Sequence, residues 1–293
     1  MTTKKILFSV LLMCCFFSCN DYLDIVPDKI ATIENAFANR NEAEKYLMTC
    51  YSYIPSHHQH TGNIALTGAD ELWAYYPGSD FDPWMIARGS QNTNDPYMNF
   101  WEGKRGGKSL YNALHDCNIF LENVENTEKV PDLTTTMRQR WIGEVKFLKA
   151  YYHFLLFRIY GPIVIVDKNI PIDAQPLEMQ KKRSSVDEVV EYIADLLDDA
   201  YEYLPQEVTN RTEELGRVTR PAALTLKAKL LVTAASPLFN GNPDYADFVD
   251  KEGMHLFSTE YDQSKWVKAA EACYDAIESC KLNNIELYTF KTK

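Results

Sequence analysis

Apolar residues recur at helical spacing along six stretches of the chain, and each stretch predicts a helix with a buried face. The first runs from about Ile33 or Glu42 to Tyr53, with Ala43, Tyr46, Leu47, Cys50, Tyr51 and Ile54 in phase and Pro55 as its stop. Others cover Leu110 to Val124, Trp141 to Tyr160, Val186 to Leu204, Ala222 to Ala235, and about Ser264 to Cys280. The third differs from the rest. Between Trp141 and Tyr160 the only charged residues are Glu144, Lys146, Lys149 and Arg158, and Lys146, Lys149 and His153 share one narrow edge. A helix apolar around most of its circumference is surrounded by other elements rather than laid on a surface. Gly161-Pro162 ends it, and Ile163 to Val166 reads as a short buried strand or extended segment. Lys149 and Arg158 interrupt the apolar run well short of the roughly 20 residues that a membrane span needs.

Punctuation supports the later elements. Ser185 with Glu188 three residues on forms a capping pattern, and Pro205, Ser236-Pro237 and Thr219 with Pro221 mark further boundaries. Small residues crowd the helix from Ala222 to Ala235 and permit close helix approach. Successive helix pairs of this kind match the pattern of tetratricopeptide-like repeats, which stack into a curved scaffold. The predicted fold is all-α, with helix pairs, long irregular loops and at most short strands. Asn240 to Asp262 reads as loop.

The first 18 residues are read separately, as a lipoprotein signal peptide. Lys4 and Lys5 precede an apolar run from Ile6 to Phe17, the length of a signal core and too short to span a bilayer. Ser18-Cys19 follows, which looks like a bacterial lipobox with Cys19 as the lipid attachment residue, although Phe16 stands where a branched aliphatic residue is preferred. Residues 19–32 then form an acidic tether and residues 33–293 the folded domain. Without residues 1–18 the chain has 28 basic residues against 41 acidic, a net charge of −13. No basic face for nucleic acid is to be expected from such a balance. Cys50, Cys117, Cys273 and Cys280 all fall in helical patterns, as free core thiols would, and Cys273 and Cys280 lie two turns apart and cannot pair.

Between Ser56 and Glu102 sustained periodicity disappears, and Gly, Pro, Asn and Asp are dense. Such a segment is functional or disordered, and its aromatic content argues for function. Sugar rings present apolar C–H faces that stack on flat aromatic rings, while their hydroxyls bond to polar side chains. Trp73, Tyr75, Tyr76, Asp80, Phe81, Asp82 and Trp84 supply both kinds of group and are the candidate glycan-binding residues. Competing motifs fail on spacing. Gly103 to Ser109 contains Gly-Lys-Ser but has Glu102 where a phosphate loop needs glycine. His57-His58-Gln59-His60 has no further ligand at metal-binding spacing, and His153 reads as a hydrogen-bonded core or edge histidine. No nucleophile elbow or zinc-protease motif occurs and no metal or cofactor is expected; a carboxylate pair for glycoside hydrolysis is assembled by the fold, and with 41 acidic residues local spacing does not bear on it, so no catalytic residue is named.

Several ordered stretches carry a resemblance: Ser18-Cys19 to Asp24 with Pro27; Trp101 with Tyr111 to Asn123; Glu144 to Phe154 with Tyr160-Gly161-Pro162; Gly216 to Leu224; and Ala235 to Asn240. Through them the chain resembles the SusD/RagB family of Bacteroidetes outer-membrane lipoproteins. The resemblance implies a lipid-anchored protein on the cell surface that captures oligosaccharides or polysaccharides and delivers them to a SusC-like TonB-dependent transporter. It also implies a longer chain, of which this is the N-terminal portion. The alternative is a tetratricopeptide-type interaction scaffold of an outer-membrane complex without glycan affinity, and an exported hydrolase is the third possibility.

Overall fold

The computed structural model describes residues 32–73 and 81–289. The chain divides into two units, Met1–Ala36 and Phe37–Lys293. Of the first, only residues from Thr32 are described, including the helical turn Ile33–Ala36. Cys19 and the apolar run before it lie outside the described residues.

Among the described residues, six helices of more than ten residues build the second unit: α1 (Arg40–Ser52), α2 (Leu110–Val124), α3 (Thr135–Tyr160), α4 (Val186–Tyr203), α5 (Arg220–Ala235) and α6 (Gln263–Leu282). No named strand occurs among the described residues; only isolated bridges join Asn99 to Lys104, Asn240 to Ser258 and Val249 to His255. Ile163 is fully buried in an extended segment that pairs with no strand; its carbonyl accepts from Ser184 N–H at 2.8 Å. The start of α4 follows its sequence signal closely, since Ser185 and Glu188 exchange backbone and side-chain bonds in a complete capping box.

Helix α3 is the hub. Trp141, Val145, Leu148, Tyr152, Phe154, Leu156 and Phe157 are all buried on it, against α2 on one side and α4 on another. Burying each of the larger aliphatic and aromatic side chains contributes about 1.5–3 kcal/mol. Helices α3 and α4 run antiparallel: Gly143 meets Ala200 and Tyr203, Lys146 meets Asp199, and His153 meets Tyr192. A Cβ on Gly143 would lie 2.9 Å from Tyr203 Cβ and 3.1 Å from the Ala200 carbonyl, so only glycine permits this approach without displacement. Helices α5 and α6 form a second pair around Ala228, Ala272 and Ala276, small residues that bring the two backbones together.

The polar edge of α3 is not a solvent face. Lys149 is 3 % exposed and donates to the Asp167 carbonyl, and burial lowers its proton affinity. His153 is fully buried; its Nδ1 bonds the Lys149 carbonyl at 2.8 Å and its Nε2 accepts from Val166 N–H at 3.1 Å. That pairing fixes a neutral imidazole with the proton on Nδ1, and burial pulls its pKa down to about 3. Arg138 donates to four carbonyls of the α2–α3 connection, those of Val124, Asn126, Lys129 and Val130. Glu144, also fully buried, accepts from Arg217 Nε and Arg140 Nε at 3.0 Å each and from Tyr51 Oη at 2.8 Å. Burial pushes the Glu144 carboxyl upward, and the two guanidiniums and the phenol oppose it.

One expectation needs correction. Cys50 and Cys117 are buried free thiols, but Cys273 and Cys280 are only half-buried, because α6 has helix neighbours on one side alone. The segment Asn240–Asp262 is irregular, as expected, apart from the turn Pro243–Tyr245, and it packs its own aromatics: Phe239, Tyr245 and Phe248 gather on Phe257, with Tyr245 stacked at 4.2 Å and 11°.

Candidate functional site

The stretch before α2 contains short helical turns at His60–Gly62, Ile64–Thr67 and Asp82–Ala87, regular structure too brief for periodicity to reveal. Pro83 in the first turn of the last of these is buried, and Trp84 follows it. The rings of Trp73 and Trp84 then meet at 5.0 Å between centroids, inclined by 49°. Phe81 lies 6.2 Å from Trp84, and His60 presents its ring edge-on to Phe81 at 6.2 Å. The Arg88 guanidinium lies over the Trp84 ring at 5.3 Å. Among the described residues the buried Nε1 of Trp84 has no hydrogen-bond partner.

These rings are not equivalent. Trp73 is 61 % exposed, whereas Trp84 is half-buried beneath it. Trp73 therefore offers a face to solvent, and Trp84, Phe81 and His60 support it. Asp82 does not join this cluster. Its carboxylate turns to the next loop, 3.9 Å from Arg105, which also pairs with Asp95 at 3.3 Å and covers the Tyr97 ring at 4.3 Å. Tyr75, Tyr76 and Asp80 lie outside the described residues. His60 and Arg88 were missed as site residues, because nothing in local spacing marks a side chain that reaches a ring from a separate turn.

The Gly-Lys-Ser run follows a tight turn. Asn99 and Lys104 pair across a tight reversal, and a Cβ on Gly107 would lie 2.4 Å from the Asn99 carbonyl. The glycine answers a close backbone approach. No group of three or more metal-ligating side chains occurs among the described residues, and no helix there is long and apolar enough to cross a membrane.

A concave surface occurs on other elements. A groove of about 540 Å³ runs between α4, α5 and α6, with Asp187, Glu191 and Asp195 facing Lys227, Lys265 and Lys268. Its walls are pinned by Lys265–Asp187 at 2.5 Å and Lys227–Asp198 at 2.6 Å.

Against this geometry, residues 21–232 match a SusD-like family profile described as starch-binding and associating with the outer membrane. The chain belongs to the SusD-like family. A SusD-like protein, P25, of Formosa agariphila is 21 % identical over 243 residues, covering 78 % of this chain and 43 % of its own. The solved structure of BT4246 is 31 % identical and superposes with a TM-score of 0.72 over 85 % of this chain and 41 % of its own. A laminarin-binding SusD-like protein shares the fold at 18 % identity, with a TM-score of 0.56 over 68 % of this chain and 41 % of its own. The chain thus spans about two-fifths of the length of these SusD-like relatives. The helical scaffold expected from the pattern of apolar positions is the one these structures share.

Proposed function

We propose that this SusD-like chain is a non-catalytic, cell-surface glycan-binding protein that stacks a sugar ring on Trp73. The exposed indole face, backed by Trp84 and Phe81 and flanked by Arg88, is the observation that carries this reading. A flat ring held by other rings loses little entropy on binding, and its apolar face suits the C–H surface of a pyranose. Tyr75, Tyr76 and Asp80 are further candidates from the same stretch of sequence, and Cys19 carries the lipid that anchors the protein to the outer membrane. The captured oligosaccharide passes to a SusC-like TonB-dependent transporter. Support for the glycan comes from the family description and from the laminarin-binding relative.

Calorimetry against a panel of neutral oligosaccharides tests the site. Trp73→Ala should weaken binding by about 1 kcal/mol or more, the scale of one ring contact. Binding that survives unchanged in both Trp73→Ala and Trp84→Ala places the site elsewhere. Label from a fatty acid analogue should disappear in Cys19→Ser.

The groove between α4, α5 and α6 favours a second reading, an interaction scaffold. Co-purification of a transporter, together with no sugar binding by the wild-type protein, would select it.

A further inference from the structure

A second group of side chains, on other residues than the Trp73 cluster, gathers cations in a chain that is acidic as a whole. Phe147, Tyr151 and Arg158 fall at i, i+4 and i+11 on α3 and share one stripe of that helix. The Phe147 and Tyr151 rings are parallel within 8°, at 6.3 Å between centroids. Arg158 lies over the ring of Phe154 at 5.5 Å, its head exposed. His57, from the turn after α1, meets the Tyr151 hydroxyl through Nε2 at 2.8 Å. Lys229 of α5 completes the group and also lines a shallow groove of about 410 Å³ with Ala222, Thr225, Leu226 and Ile285.

His57, Arg158 and Lys229 come from three separate elements, and all three are exposed. Among the described residues none has a carboxylate partner. The electrostatics agree with the geometry: partial burial followed by the charges of Arg158 and Lys229 lowers the proton affinity of His57, and burial followed by Arg158 lowers that of Lys229. Several other lysines of this molecule are answered by acids, as in Lys146–Asp199, Lys182–Asp250 and Lys281–Glu278. Here 41 acidic residues are available to the chain and none of those described is spent. Cations brought together without counter-charge are a cost to the fold, and an anionic ligand removes it.

We propose that His57, Tyr151, Arg158 and Lys229 form a second binding surface for a saccharide bearing carboxylate or sulfate groups. Arg158 and Lys229 take the anionic group, His57 and the Tyr151 hydroxyl bond to ring hydroxyls, and the groove beside Lys229 receives the apolar sugar edge. The choice of a saccharide rests on the glycan-binding reading above; the choice of an acidic one rests on this cluster.

The test uses the full chain and calorimetry with three probes: tetragalacturonate, a κ-carrageenan tetrasaccharide and neutral maltotetraose. At low salt at least one acidic probe should bind about tenfold tighter than maltotetraose, and the preference should shrink at about 0.3 M salt. The double variant Arg158→Gln/Lys229→Gln should lose the preference and leave neutral binding unchanged. NMR titration of the His57 imidazole provides a readout that a structural role would not move: its pKa should rise when the acidic probe binds. Acidic and neutral probes binding alike, a preference that persists in the double variant, or an unmoved His57 titration overturns the proposal. Maltotetraose binding that depends on Trp73 with no acidic preference leaves the glycan reading standing and removes this one. An acidic preference lost in the double variant but indifferent to Trp73→Ala does the reverse for the Trp73 site, and no binding of any probe removes both.

Discussion

Helix α3 and the loop around Trp73 are both rich in aromatic and charged residues, yet the two regions treat them in opposite ways. In the interior of α3 the carboxylate of Glu144, the imidazole of His153 and the guanidinium of Arg138 are answered: Glu144 has three donors, His153 is bonded at both nitrogens, and Arg138 closes on four carbonyls. Around Trp73 the ring faces outward and the cation lies on a π face. The first arrangement spends polar groups on holding helices in register. The second leaves surface available to a ligand. Residue types that look alike in a sequence thus divide into frame and site according to whether their partners are internal.

The contrast can be broken from its strongest end. Glu144→Gln leaves Arg217 and Arg140 facing a neutral amide in a buried setting and should cost about 3 kcal/mol or more in chemical denaturation. A cost below about 1 kcal/mol would mean that the network is peripheral to stability. Acid should come next. Above pH 6.5 His153 is neutral folded or unfolded and contributes no pH dependence. Below it the unfolded chain takes up a proton that the folded protein refuses until about pH 3, so stability falls by about 1.4 kcal/mol per pH unit through that window. Denaturation curves at successive pH values, compared with His153→Gln, isolate this slope.

A smaller effect is expected at Gly143. Alanine there gains about 1 kcal/mol of helix propensity, but its Cβ meets Tyr203 and Ala200 and overpacking costs about 1–3 kcal/mol. A net loss of about 1 kcal/mol should result, and a gain would show that α4 gives way. Smallest in stability should be Trp73→Ala, within about 0.5 kcal/mol as for other exposed positions, while the same change weakens glycan binding. If Trp73→Ala instead destabilises as much as Gly143→Ala, the Trp73 loop belongs to the frame.

The frame was legible because its signals are local. Apolar period, Ser185 with Glu188, Gly161 before Pro162 and the alanines of α5 each act within a few residues, and the observed helix ends fall close to them. The groups that answer the polar side chains were not legible. Tyr51 lies 93 positions from Glu144, and His57 lies 94 from Tyr151, separations on which no spacing rule bears. The loop was legible in kind but not in membership. Its aromatics announced themselves by composition, whereas the division between exposed Trp73 and supporting Trp84, and the turn of Asp82 towards Arg105, depend on three turns of four residues or so. The inward aromatic group at Phe257 was hidden for the same reason, since Phe157 and Phe239 reach it from distant helices and turns.

The reach of the Glu144 network also has a kinetic side. Its bonds close chain segments of 93 residues to Tyr51 and 73 residues to Arg217. Loop closure over such lengths is entropically costly before any contact repays it, whereas the α3–α4 and α5–α6 pairs join neighbours in sequence. The pairs should form early and the charged knot late, after the folding barrier has been crossed. A bond absent from the transition state adds nothing to the speed of folding and its full strength to the barrier against unfolding. The knot is in that sense a latch, and damage to it should be read in how fast the protein comes apart.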